Sequence, residues 1–188
     1  MLYAIFSLLL EVATGVVGGA CLLRLYMQHQ RIPMSARSGN PLGNFVFALT
    51  DWLVLPLRRL VPSVGRWDMA SLLAAFFVEL SQLVLLWLLA GAEGLALSLP
   101  VLAAFGLLRM AVSGLTGLVI VFAVLSWVPS ASPMSELIGR LCTPVLSPIR
   151  RVLPLVGGVD LSPLVLLVLL QIASLVLGQL QGIALQLV

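Results

Sequence analysis

The 188-residue chain is 61% hydrophobic and 9% charged, with a mean hydropathy of +1.18 and a formal charge of +3 from ten arginines, seven acids and no lysine. Soluble domains carry roughly 25% charged residues, so lipid is the solvent here. A soluble enzyme, a secreted disulfide module, a disordered tail and a nucleic-acid binder are all excluded at this step.

Leu2 to Leu23 is apolar, broken by Glu11 and softened by glycines, and long enough to cross a bilayer before Arg24 closes it. It has no basic n-region, so it reads as a retained first span and not a leader. Polar composition follows to Asp68, with arginines at 31, 37, 58, 59 and 66. Met69 to Ala90 is a second span carrying Glu79 and Gln82, and Gly91 to Gly94 is a turn. The run from Leu95 to Val128 is too long for one straight crossing. Its crossing is placed at Ala103 to Trp127, with Leu95 to Leu102 as an interfacial lead-in. After a loop bearing Arg140, Arg150 and Arg151, Pro163 to Gln186 forms the last span.

Six arginines between Arg24 and Arg66 and three between Arg140 and Arg151 fall on one side; the other side has none, and Arg109 lies within a span. The positive-inside bias then places both loops in the cytoplasm and both termini outside a bacterial plasma membrane. Cys21 and Cys142 have no ligand or CxxC spacing and are expected as free thiols.

The strongest pattern is a self-match at an offset of 92. Pro56-Leu-Arg-Arg-Leu-Val-Pro-Ser-Val-Gly-Arg-Trp-Asp68 lies over Pro148-Ile-Arg-Arg-Val-Leu-Pro-Leu-Val-Gly-Gly-Val-Asp160 with seven of thirteen positions identical. Glu79 then lies over Gln171 and Gln82 over Ser174. The expected architecture is an all-α membrane protein of four transmembrane helices in two parallel repeats, 1–92 and 93–188. Each repeat holds an interfacial amphipathic segment and a cytoplasmic P-x-R-R-x-x-P-x-x-G-x-x-D motif.

The second copy, Pro148 to Pro163 with Ser126-Trp127-Val128 before it, resembles the hallmark of the YggT (YlmG) family of small bacterial and plastid membrane proteins. In the first copy Arg66 and Trp67 replace Gly158 and Val159. The resemblance extends over the whole chain. It implies associations with osmotic stress tolerance, with genes near cell-division loci and, in plastid relatives, with cytochrome maturation and nucleoid distribution. None of these is a defined reaction.

Prolines six apart read as a short turn between two stops, with the arginines at headgroup level and Asp68 and Asp160 capping the spans that follow. One reading confines these residues to topology and capping. The sharper one is a cytoplasmic platform in which Arg59–Asp68 and Arg151–Asp160 pair, presenting Arg58 and Arg150 to anionic lipid or a membrane-protein partner. Upstream of each motif a surface helix is predicted. Met134, Leu137, Ile138, Leu141 and Val145 share a face opposite a Glu136/Arg140 pair; Phe45, Phe47, Leu49, Trp52 and Leu55 supply bulk in the first half.

Within the spans, Arg109 is expected to pair with Glu79, with Glu11 as second choice. Gly15/Gly19, Ser113/Gly117 and Gly178/Gly182 are small-xxx-small pairs, read first as packing within the monomer and second as a homo-oligomer face. His29 stands alone, and Gly157-Gly158 reads as a turn and not a phosphate loop. No catalytic, metal or cofactor site is expected. The leading functional expectation is a non-enzymatic envelope-organising or osmotic-stress factor. A small ion or solute conduit using Glu79, Arg109 and Glu11 is the alternative.

Overall fold

A computed structural model of the chain describes residues 2–35, 39–63, 65–92, 96–127, 132–153 and 160–186. Arg37 and the Gly157-Gly158 turn lie outside these. Six helices follow in order: α1 Leu2–His29, α2 Gly43–Leu60, α3 Met69–Leu89, α4 Ser98–Trp127, α5 Pro133–Val152 and α6 Ser162–Gln186. Four of them, α1, α3, α4 and α6, are long and apolar enough to cross a membrane.

Three boundaries differ from the sequence expectation. Helix α1 continues past Arg24 to His29, because nothing in Arg24-Leu-Tyr-Met-Gln breaks a helix. Of the expected lead-in, Leu95 lies outside the described residues and 98–102 are part of α4, which starts at Ser98. Pro100 stands in its first turn, where a missing N–H costs nothing. The third difference concerns the motif. Pro56 lies inside α2, and Pro144 and Pro148 lie inside α5, so both arginine pairs ride on the last helical turn and not in a loop. All three prolines face outward, which leaves the carbonyl four residues earlier open to its surroundings instead of buried. The stop comes afterwards. Val61 and Leu153 are extended, as a residue before proline prefers. Arginines in a last turn also meet the negative end of the helix dipole.

Helix α5 begins on a capping box, with Ser132 accepting from the Ser135 N–H and its own N–H bonded to Ser135 Oγ. Leu137, Ile138 and Leu141 share a face as predicted but bury it against the bundle, and Arg140 donates to Glu136 at 2.6 Å on the outer side. Helix α2 buries Val46, Thr50 and Val54; α5 buries Ile138, Cys142 and Leu146, which are the same positions plus 92. Likewise Ala70, Ser71, Ala74 and Val78 of α3 correspond to Ser162, Pro163, Leu166 and Leu170 of α6, all buried.

These rows build two apolar clusters. Cys21, Val54, Ala70, Ala74 and Ala75 join α1, α2 and α3. Val119, Ile138, Cys142, Leu146, Leu166 and Leu170 join α4, α5 and α6. A third, Met27, Met34, Val46, Leu137 and Leu141, brings α2 and α5 together at the C-terminal end of α1. There the Tyr26 hydroxyl donates to the Leu141 carbonyl at 2.8 Å. Both motif-bearing helices therefore lie at the same end of the bundle.

The glycine expectation needs correction. A Cβ at Gly15, Gly19, Gly117, Gly178 or Gly182 would meet nothing within 4 Å, so these pairs do not mediate packing inside the monomer. Close approach occurs instead at Gly18 against Met110, Gly106 against Glu79, and Gly43 against the Met34 carbonyl.

Candidate functional site

At the shared end of the bundle each motif forms an arginine–aspartate latch across a helix junction. Arg58, in the last turn of α2, donates to Asp68 Oδ2, just before α3. Ser71 Oγ donates to the same oxygen at 2.7 Å. With its amide oriented as its neighbours require, Gln28 of α1 donates to Asp68 Oδ2 at 2.8 Å and accepts from Arg58 at 3.0 Å. Asp68 is 2% exposed. Burial alone would raise its pKa, but the hydrogen bonds from Ser71 and Arg58 and the charges of Arg58 and Arg24 outweigh it and hold the carboxyl below the usual range. Asp68 stands at the N-cap position of α3 without making a side-chain cap bond: these neighbours all converge on Oδ2, and Oδ1 is buried without a hydrogen-bond partner among the described residues.

The second latch sits 92 residues on. Arg150 donates to Asp160 Oδ2 through Nε at 2.8 Å, its Nη2 lies 2.7 Å from the same oxygen as an ion pair, and its guanidinium lies 5.8 Å from the Phe122 ring centroid. Asp160 Oδ1 accepts from the Ser162 N–H at 2.9 Å, closing the start of α6 from two residues before it. Its carboxyl too is held low: modest burial, which raises it, is overcome by hydrogen bonds from Ser162 and Arg150.

The aspartates therefore take Arg58 and Arg150, not Arg59 and Arg151. The reason is helical spacing. Arg58 continues the buried row Val46–Thr50–Val54 at four-residue steps, and Arg150 continues Ile138–Cys142–Leu146, so these arginines emerge at the junction. Arg59 and Arg151 turn roughly 100° further round and are exposed, with no ion pair among the described residues.

Sequence reasoning missed Arg24. It is 2% exposed, donates through Nη1 to Thr50 Oγ1 and Asp51 Oδ1 at 2.7 Å each, and lies 4.9 Å from the Phe47 ring centroid. Its equivalent 92 residues on is Thr116, and Thr50 and Asp51 become Cys142 and Thr143, so the charged contact between α1 and α2 has no counterpart between α4 and α5. The signal was Thr50 standing in an otherwise apolar buried row.

In the spans, Thr14 Oγ1 bonds Gln82 Oε1, tying α1 to α3. The Glu79 carboxylate lies over Gly106 of α4. Arg109 donates to Gln181 of α6 and makes no ion pair with Glu79 or Glu11. Glu79 approaches α4 where glycine leaves room, whereas Arg109 is exposed and reaches α6. Glu11 is exposed on α1. His29 lies against Trp67, their ring centroids 4.5 Å apart and their planes tilted by 39°. Both cysteines are free and buried, and no group of three potential metal ligands occurs among the described residues.

The CCB3/YggT family profile matches the chain twice, over residues 2–89 and 101–181. A Vibrio alginolyticus protein known by its position in the proC 3′ region is 35% identical over 164 residues, 86% of each chain. The YggT protein of Escherichia coli is 33% identical over 177 residues, spanning 91% of this chain and 86% of its own. A Haemophilus influenzae protein is 33% identical over 153 residues, 79% of this chain and 78% of its own. No solved structure matches. With paired latches 92 residues apart, a twofold profile match and relatives aligned over most of their length, the chain belongs to the CCB3/YggT family.

Proposed function

We propose that the chain is two parallel repeats in a bacterial plasma membrane, with the motif end in the cytoplasm and both termini outside. We propose further that it is a non-enzymatic organising factor whose arginine-bearing face engages anionic lipid and membrane-protein partners. The observation that carries this reading is the pair of latches at one end of the bundle. In each, the first arginine is spent on holding two helices together and the second is left outward. An arginine at headgroup level contributes about 1 kcal/mol against an anionic leaflet. The nine-to-none distribution of arginines supports the orientation. Thr14 with Gln82 and Arg109 with Gln181 support packing over a conduit as the role of the intramembrane polar groups.

Orientation is tested with Leu97→Cys and Ser63→Cys in intact cells, Cys21 and Cys142 being buried. A membrane-impermeant maleimide is expected to label the first and spare the second; the reverse overturns the assignment. The platform is tested by placing a photo-crosslinking amino acid at exposed Ser63 in native membranes. Arg59→Ala with Arg151→Ala is expected to abolish the captured protein bands. An unchanged band pattern overturns the platform.

A further inference from the structure

We propose that the outer face of α2 is a binding site for an anionic phospholipid, with Arg59 taking the phosphate and Phe45, Trp52 and Leu55 lying against the acyl chains. The inference rests on the reading that this end of the bundle meets anionic lipid. It adds which half of the protein holds the lipid and through which residues.

Phe45, Ala48, Trp52, Leu55, Pro56 and Arg59 fall within one arc of about 100° on a regular helix. All six are exposed. Trp52 is 65% exposed, and an indole, apolar in body with a polar tip, suits the membrane interface. Its Nε1–H is already satisfied within the helix, donating to the Leu49 carbonyl at 2.7 Å. The ring therefore carries no unmet donor into hydrocarbon. Arg59 is the stripe's single charge, at its C-terminal end, so the face runs from apolar bulk to one cation, as a phospholipid runs from chains to phosphate. Pro56 supplies no N–H to the Trp52 carbonyl. That oxygen, on the same face, accepts a hydroxyl from a headgroup such as phosphatidylglycerol.

The position of α2 favours lipid over a protein as occupant. Its inner row packs into the spans: Val54 lies with Cys21, Ala74 and Ala75, and Ala75 stands roughly 9 Å along α3 from its start. The opposite face is thereby turned outward at the level where chains give way to headgroups.

The equivalent face of α5 has the opposite character. Ninety-two residues on, Phe45, Ala48, Trp52, Leu55 and Arg59 become Leu137, Arg140, Pro144, Ser147 and Arg151. Leu137 is buried, and Arg140 pairs outward with Glu136. Arg151 thus has the charge of Arg59 without the apolar stripe, and it serves as the internal control.

The test uses the full chain, purified free of partners, with phosphatidylglycerol and phosphatidylcholine as probes. Native mass spectrometry is expected to show phosphatidylglycerol retained by the wild type and by Arg151→Gln, and retention reduced about fivefold in Arg59→Gln. In phosphatidylglycerol vesicles with brominated chains, wild-type tryptophan emission is expected to be quenched by a component missing from Trp52→Phe. Equal loss from the two arginine variants, equal retention of the two lipids, or identical quenching of wild type and Trp52→Phe each overturns the site. Because no partner is present, this result is independent of the crosslinking outcome: either proposal fails without the other.

Discussion

Arg24→Ala is expected to destabilise the protein by about 2–4 kcal/mol, the range for breaking a buried charged contact and leaving a cavity. The guanidinium is fully packed between α1 and α2, bonded to Thr50 and Asp51 and stacked over Phe47. What is left behind is tolerable on the polar side: Thr50 still donates to the Val46 carbonyl at 2.6 Å, and Asp51 is 41% exposed and hydrates. The loss is therefore dominated by packing and by the link that pins α2 to α1. Arg24→Met, which fills most of the volume without charge, is expected to cost about 1 kcal/mol, because the carboxylate it leaves unpaired, Asp51, is 41% exposed and hydrates. Thermal denaturation in detergent separates the two. If alanine and methionine are equally damaging, the charge and not the packing holds the junction.

The second large effect distinguishes the latches. Asp68→Asn is expected to cost about 2–3 kcal/mol, the worth of charge-assisted hydrogen bonds lost at a buried site. Asp160→Asn should cost under about 1 kcal/mol, as for an exposed pair. Asp68 is buried and bonded by Arg58, Ser71 and Gln28, whereas Asp160 is 31% exposed. The pH dependence follows from the sign of the shift. Asp68 is more acidic folded than unfolded, so it adds stability that is fully present above the ordinary carboxylate pKa of about 4. That stability is lost as pH falls through the lower folded value. The wild type should lose melting temperature more steeply than Asp68→Asn as pH falls from about 5 through the lowered folded value, with Asp160→Asn closer to wild type. Parallel acid limbs for wild type and Asp68→Asn would contradict the assignment of Asp68 as the ionised centre of the latch.

The contrast between the latches parallels the contrast between α2 and α5. The first half is tied by Arg24, Gln28 and a buried aspartate and turns an apolar stripe outward; the second has a half-buried aspartate and a polar outer face. Helices α2 and α5, whose buried positions lie 92 residues apart, thus turn two different surfaces outward.

Much of this was legible in one dimension. Hydropathy located four spans because a backbone in lipid must satisfy its own hydrogen bonds, and every expected span overlaps an observed helix. The apolar face of α5 was readable in part because spacing along a helix fixes angle around it: Leu137, Ile138 and Leu141 are buried, whereas Cys142 and Leu146, which complete the buried side, were not singled out. Spacing alone did not reveal which neighbour stands at that angle. Arg58 against Arg59 for Asp68, Gln181 against Glu79 for Arg109, and Thr50 with Asp51 for Arg24 were decided by where other helices pack. The prolines of the motif were misleading for a related reason: their cost depends on whether the carbonyl four residues earlier is buried, and only the packed bundle shows that Pro56, Pro144 and Pro148 face outward. The sequence by itself determined the solvent, the spans and the angular position of each side chain; tertiary structure decided the partners, because a partner is a property of two helices and no single stretch of chain contains both.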